Sequence, residues 1–426
     1  MTTTSAPDNA PVIDGSTEGR VPITGALRRL LWWIAPANIG IFLLWGAIPA
    51  VLLPTQIQLI DEATKAENLA IVATIGAFAA MIAQPIAGTI SDRTRSRFGR
   101  RAPWIVGGAL IGGLALIGMA LANGLVQITI AWVMVQIAYN FAQGPLSAIL
   151  PDRVPKLVRG TFASISGLGL MLGAIGGQIL GASLASNIPM AYLVLAGIAL
   201  IALTLFVVFN PDRPSKDLAV EPFSVKAFLS TFWVNPIAHP DFFWGFTGRL
   251  LLYTGFFAVT GYQLFILQDY IGLGNKGALA MVPILGITTL LGIVVSTVIC
   301  GPLSDRLERR KVFIFVASIL LAGALLIPIV LPTATGMIIF AAVSGLGFGC
   351  FQSVDTALIS EVLPSQADFA KDLGVVNIAA TLPQTIAPAV AGVIVVSFGG
   401  YLALFPIGIV LVVLGAFAVL PIKSVR

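Results

Sequence analysis

Long apolar runs alternate with short polar breaks along the whole chain, and the runs are too long and too evenly spaced for a soluble fold. Twelve of them are about 18 to 27 residues long, enough for a helix to cross a hydrocarbon core about 30 Å thick. The pattern predicts helices over about 30–54, 68–90, 103–122, 125–149, 160–185 and 189–209. A polar linker at 210–241 follows, and then helices over about 242–268, 277–301, 312–331, 333–359, 371–397 and 400–421. The expectation is an all-α membrane protein of twelve transmembrane helices in two six-helix bundles, 30–209 and 242–421. Residues 1–29 and 422–426 read as cytoplasmic tails. The first of these is rich in Thr, Pro, Ser and Asp and lacks the apolar core of a cleavable signal peptide.

The polar breaks repeat. GTISDRTRSRFGRR runs from Gly88 to Arg101 and GPLSDRLERRK from Gly301 to Lys311, an offset of 213. AILPDRVP, from Ala148 to Pro155, matches ALISEVLP, from Ala357 to Pro364, at an offset of 209. Each of these places an acid three residues before a proline, Asp152 and Glu361, and upstream Gln143 pairs with Gln352. Agreeing offsets imply two homologous, pseudo-symmetric halves related by an axis along the membrane normal. With the N-terminus cytoplasmic, only Lys65 and Lys276 fall outside and Arg249 within a span. The other 21 of the 24 Lys and Arg lie inside, as the positive-inside bias requires.

Composition supports lipid as the solvent. The chain is 57% hydrophobic and 10% charged, against about 25% charged for a soluble domain. Its net charge of +5 sits in short loops between apolar runs, where basic residues are topology signals and not a nucleic-acid surface. Cys300 and Cys350 lie at apolar positions without metal-ligand spacing, and His239 sits beside Pro240 in the linker. No nucleophile–base arrangement, metal cluster or phosphate-cradling loop is present, which argues against an enzyme and against a cofactor. The partners expected are a small-molecule solute, protons and membrane lipid, with a monomeric chain in the plasma membrane.

Twelve spans, a central loop and Gly-x-x-Ser-Asp-Arg…Gly-Arg-Arg after the second span resemble the major facilitator superfamily across essentially the whole chain. The long spacing between Asp92-Arg93 and Gly99-Arg100-Arg101, followed by Ala102-Pro103-Trp104, is similar to that of sucrose:proton and glycoside–pentoside–hexuronide symporters. Asn140-Phe141-Ala142-Gln143-Gly144-Pro145 also resembles the sucrose group's N-x-x-Q-G-P-x-R-A. Two departures stand out. Ser147 occupies the place of that group's arginine, so a sugar-anchoring cation is absent there. Sodium-coupled relatives of the melibiose type carry carboxylates in the second span, and Asn68 to Ile90 has none.

The resemblance implies a cavity lined by spans 1, 4, 7 and 10 and a gating role for the hairpins. The gating candidates are Asp92, Arg93, Arg97, Arg100, Arg101 and Asp152, with Asp305, Arg306, Arg309, Arg310 and Glu361 in the second copy; the alternative is that the loops only anchor topology. Arg249 and Asp355 lie within spans, where a lone charge costs about 2.5–3.5 kcal/mol, so each should face a cavity or a partner. Asp355 is the candidate proton-coupling residue and Arg249 its partner or a substrate anchor; the alternatives are a static ion pair or two snorkelling groups. At the repeat equivalents of these two positions stand Asn38 and Leu146.

Gln136, Tyr139, Asn140 and Gln143 fall at i, i+3, i+4 and i+7 on the fourth span, and Asn377, Thr381 and Gln384 share a face of the eleventh. Such stripes either line a wet path or join packed helices. With Asn38, Gln352 and the aromatic faces of Trp45, Tyr253 and Tyr262 they form the candidate substrate site. The leading expectation is a proton-coupled transporter of a sugar or glycoside. A proton-linked exporter of drugs or metabolites is the alternative, and a non-transporting solute sensor a lesser one.

Overall fold

The computed structural model describes residues 23–216, 239–307, 309–362 and 369–422; the side chains of Glu361 and Asn377 lie outside the described residues. The first half folds as α1 (Gly25–Ile60), α2 (Lys65–Arg93), α3 (Ala102–Leu121), α4 (Leu125–Arg153), α5 (Arg159–Ser183) and α6 (Ile188–Phe209). The second half supplies α7 (Pro240–Thr260), α8 (Gly274–Leu307), α9 (Arg310–Val330), α10 (Ala334–Val362), α11 (Phe369–Phe398) and α12 (Leu404–Ala418). Eleven helices among the described residues are long and apolar enough to cross a membrane, and α11 contains a shorter apolar stretch, Leu382–Phe398. Exposed Leu, Ile, Val and Phe side chains cover the outside of the bundle, the arrangement that lipid selects.

Helix partnerships repeat between the halves. In the first, α1 packs on α5 and α6, α2 on α4, and α3 on α4 and α6; in the second, α7 packs on α11 and α12, α8 on α10, and α9 on α10 and α12. Adding six to each number converts one set into the other. The halves meet along two seams, α2 with α11 and α5 with α8, and the same rule exchanges these.

Close packing is set by small residues. Cβ atoms added at Gly169, Gly173, Gly177 and Gly181 of α5 would run into Ala35, Ile39, Leu43 and Ala47 of α1. The four-residue spacing on both helices is a ridge of bare backbone against a matching ridge. Gly248 and Gly255 of α7 meet Gly415 and Gly408 of α12 in the same way. Gly167 and Gly176 make no such close contact.

The first helix of each half loosens near one end. In α1 the turn Ile48–Leu52 widens to the π form, and the helix resumes over Leu53–Ile60. After α7 a short turn, Gln263–Phe265, leads into a second π segment, Ile266–Tyr270. Pro49 and Pro54 supply the local cause in the first, since each removes a backbone donor from the ladder.

Candidate functional site

Between the halves lies a cavity of about 610 Å³. Its polar lining is Gln84, Gln136, Asn140, Gln143, Gln384 and Thr385, and its aromatic lining Phe42, Trp45, Trp132, Phe257 and Tyr262. No Asp, Glu, Lys, Arg or His is among the described residues that line it. These residues come from α1, α2, α4, α7 with its following turn, and α11. Among the described residues α10 contributes none, unlike the span set that the resemblance implied. Its inner face is filled instead: Phe348 stacks on Phe256 at 4.6 Å and tilts against Tyr253 at 5.3 Å, and Phe351 meets Tyr253 at 5.8 Å.

The structure gathers Trp45, Gln136, Asn140, Gln143, Tyr262 and Gln384 at this cavity. Tyr139 does not join them. On a helix it lies about 60° from Gln136 and on the side away from Asn140, and it tips over to pack against Gly112 of α3, fully buried. Asn38 turns its amide back onto the Ile34 carbonyl at 2.8 Å and lies beside Gly169 of α5. Tyr253 is buried behind Phe257, and Gln352 is exposed; neither lines the cavity. Gln84 and Trp132 went unnoticed in the sequence, although Gln84 is an amide in an apolar run and the signal used for α4 would have found it.

Hydrogen bonds orient the amides. Trp45 Nε1 donates to Gln143 Oε1 at 2.7 Å, and Asn140 Nδ2 donates to the Gln136 carbonyl at 2.8 Å. Trp45 also packs edge-on against Trp132, with ring centroids 6.4 Å apart.

Arg249 and Asp355 form a buried ion pair, Nε to Oδ2 at 2.5 Å, with side chains 5% and 3% exposed. Arg249, Tyr253 and Phe257 recur every four residues on one face of α7. The Arg249 guanidinium lies 5.8 Å from the Tyr253 ring centre, and Tyr253 meets Phe257 at 5.6 Å. A stripe of side chains therefore runs from the ion pair to the cavity wall.

The first arginine-rich hairpin is wired within its own half. Arg101 reaches Asp92 at 2.5 Å and Asp152 at 3.0 Å, while Arg100 reaches Asp152 at 2.8 Å and Asp92 at 4.0 Å. Arg153 grips Asp212, just past α6, at 2.7 Å. Arg97 lies over the Phe98 ring, and Arg93 closes α2. In the second copy Arg310 contacts Asp305 at 3.4 Å, and Arg306 and Arg309 are exposed. Lys311 caps the Ile422 carbonyl.

At the opposite end polar side chains join the halves. Lys65 of α2, 8% exposed, contacts Asp269 at 2.9 Å and lies 5.0 Å from the centre of the Phe265 ring. Tyr262 Oη donates to the Ala66 carbonyl at 2.9 Å. Nearer the cavity, Thr385 Oγ1 donates to the Ala77 carbonyl at 3.4 Å.

Several known proteins are similar to this chain in sequence or in fold. The sucrose transport protein SUC4 of Arabidopsis thaliana is 28% identical over 191 residues, 38% of this chain and 37% of the relative. The general alpha-glucoside permease of Schizosaccharomyces pombe is 25% identical over 303 residues, 62% of this chain and 53% of the relative. The matched regions thus span about two fifths to a half of these relatives. Among solved structures, the nucleoside transporter NupG superposes with a TM-score of 0.73 at 17% identity, covering 92% of this chain and 99% of its own. A bacterial homologue of the human lysosomal transporter Spinster, in an inward-facing and unoccupied conformation, gives 0.67 at 14% identity, covering 92% and 95%. The sequence profile of the Major Facilitator Superfamily matches residues 34–333 and 284–425. With the repeated helix partnerships and the cavity between the halves, this places the chain in the Major Facilitator Superfamily, as a multi-pass secondary transporter and not an enzyme.

Proposed function

We propose that the chain carries a small uncharged polar solute, a sugar or glycoside, and couples its movement to protons. The observation that carries this reading is the composition of the cavity: amides, a hydroxyl and indole rings, with no Asp, Glu, Lys, Arg or His among the described lining residues. Amides meet the donor and acceptor needs of hydroxyls, while aromatic rings cover the apolar faces of a pyranose. A sucrose transporter and an alpha-glucoside permease among the distant relatives agree with that class.

In the proposed cycle the arginine-rich end is cytoplasmic, and the units that rock are residues 30–209 and 242–421. Closure at the Lys65 end leaves the cavity reached from the cytoplasm. Asp355 is the proton site. Ionised, it holds Arg249; protonated, it no longer balances that charge, and Arg249 must find new partners. The α7 stripe through Tyr253 to Phe257 offers a physical link between that event and the cavity. The hairpins serve as the cytoplasmic gate, with Asp152 tying the first of them to α4.

Counterflow of labelled sucrose and maltose in proteoliposomes, with and without a pH gradient, tests the reading. Saturable exchange of a neutral sugar is expected, with uphill accumulation driven by the pH gradient. Asp355→Asn should keep the exchange and lose the accumulation. Exchange confined to lipophilic cations would replace the sugar reading with proton-linked drug export. Normal pH-driven uptake by Asp355→Asn would remove the coupling role.

A further inference from the structure

The hydrogen bonds at the cavity wall fix which way its amides face. An indole N–H can only donate, so the Gln143 atom 2.7 Å from Trp45 Nε1 must be the carbonyl oxygen. A backbone carbonyl can only accept, so the Asn140 atom 2.8 Å from the Gln136 carbonyl must be the NH₂ group. The second Asn140 hydrogen is directed to Gln136 Oε1, at 3.5 Å. What these two side chains leave for a solute is the Gln143 NH₂ group, a donor, and the Asn140 Oδ1, an acceptor, three residues apart on one helix face.

We infer that Trp45 is a positioning residue that locks the amide of Gln143, so that this face of α4 presents one donor beside one acceptor and selects a neutral hydroxyl. The inference rests on the proposed sugar reading and adds to it the residue that sets the selection. A hydroxyl both donates and accepts and satisfies the pair. A carboxylate, which only accepts, opposes Asn140 Oδ1, and an ammonium, which only donates, opposes the Gln143 NH₂ group. Without the indole donor the Gln143 amide is free to turn over, and the pair becomes two acceptors. Trp45 is itself held edge-on against Trp132, so its N–H direction is set by packing.

The test is a double-mutant cycle in transport, paired with a second readout that needs no solute. Trp45→Phe keeps an aromatic ring and drops the donor; Gln143→Leu removes the amide. Each should raise the apparent KM for labelled-sucrose counterflow by about tenfold, the loss of one good hydrogen bond, with Vmax little changed. The double variant should be no worse than Gln143→Leu alone. Additive losses, or an unchanged KM in Trp45→Phe, would overturn the inference. In parallel, the indole N–H resonance of Trp45 is read by NMR in ¹⁵N-tryptophan-labelled protein and assigned by its absence in Trp45→Phe. It should shift in Gln143→Leu. An unmoved resonance overturns the positioning role whatever the solute. A resonance that shifts in Gln143→Leu, with a wild-type protein that exchanges no sugar, would mean that the solute class fails while the lock stands.

Discussion

Asp212 shows how one carboxylate organises a loop. Its Oδ2 accepts from the backbone N–H groups of Arg100 and Arg101, each at 3.1 Å, and Arg153 holds its Oδ1. Gly99 makes this possible. It adopts φ +86°, and a Cβ there would strike the Asp212 carboxylate. Burial pushes the Asp212 pKa up, but the Arg101 amide, the Arg153 hydrogen bond and the Arg153 charge outweigh it, so the carboxyl titrates below its ordinary value. A depressed pKa contributes stability that is complete above the unfolded value of about 3.9 and is lost as pH falls through the folded value. Asp212→Asn should therefore cost about 1–3 kcal/mol at neutral pH, with the two proteins converging in acid. Thermal unfolding in detergent across that range reads the difference, and identical midpoints at pH 7 would contradict it. The Gly-Arg-Arg motif was visible in the sequence, and so was Asp152. Asp212 was not, because it lies 111 residues beyond Arg101 in a linker that carries no pattern.

Helix positions were legible because an apolar run long enough to cross a membrane has few alternative structures. Faces were less legible. A period of 3.6 assigns a residue to a side of its helix, but the neighbouring helix decides whether that side is cavity or packing, as the contrast between Gln143 and Tyr139 shows. The α1–α5 ridge illustrates the same point. Only the partner helix distinguishes Gly173 and Gly177 from Gly167 and Gly176. Gly177→Val places its side chain against the Leu43 carbonyl and the Ala47 amide. The expected cost is about 1–3 kcal/mol or more, since two backbones cannot separate locally without moving whole helices. Reduced yield of monodisperse protein and a lowered unfolding midpoint are the readouts, with Gly167→Val as the unaffected control. A Gly177→Val protein as stable as that control would exclude the close approach.

For the whole molecule, the contact that joins the two halves at one end was the part of the site least open to sequence reasoning. Lys65 and Asp269 are ordinary loop-edge charges until the fold sets them 2.9 Å apart across 204 residues. The side chain of Asp269 is 40% exposed, so the pair is partly screened and weak enough to break in the proposed cycle. Lys65→Ala should favour the state open at that end. In a background without Cys300 and Cys350, and with the proposed orientation that puts the Lys65 end outside, a cysteine replacing Thr385 should then react faster with a membrane-impermeant maleimide added from that side. Equal labelling rates with and without Lys65 would show that the pair does not hold that end shut.

The two seams carry a mechanical consequence. Where α2 meets α11, Gly392 faces Ala70; where α5 meets α8, Gly286 takes the end of the Gln178 side chain. At both places a glycine lets the facing helix come close, and the internal repeat gives the two tracks corresponding helices. In the proposed cycle the two halves would then roll on these paired tracks, with the motion spread along four helices and no single residue required to bend.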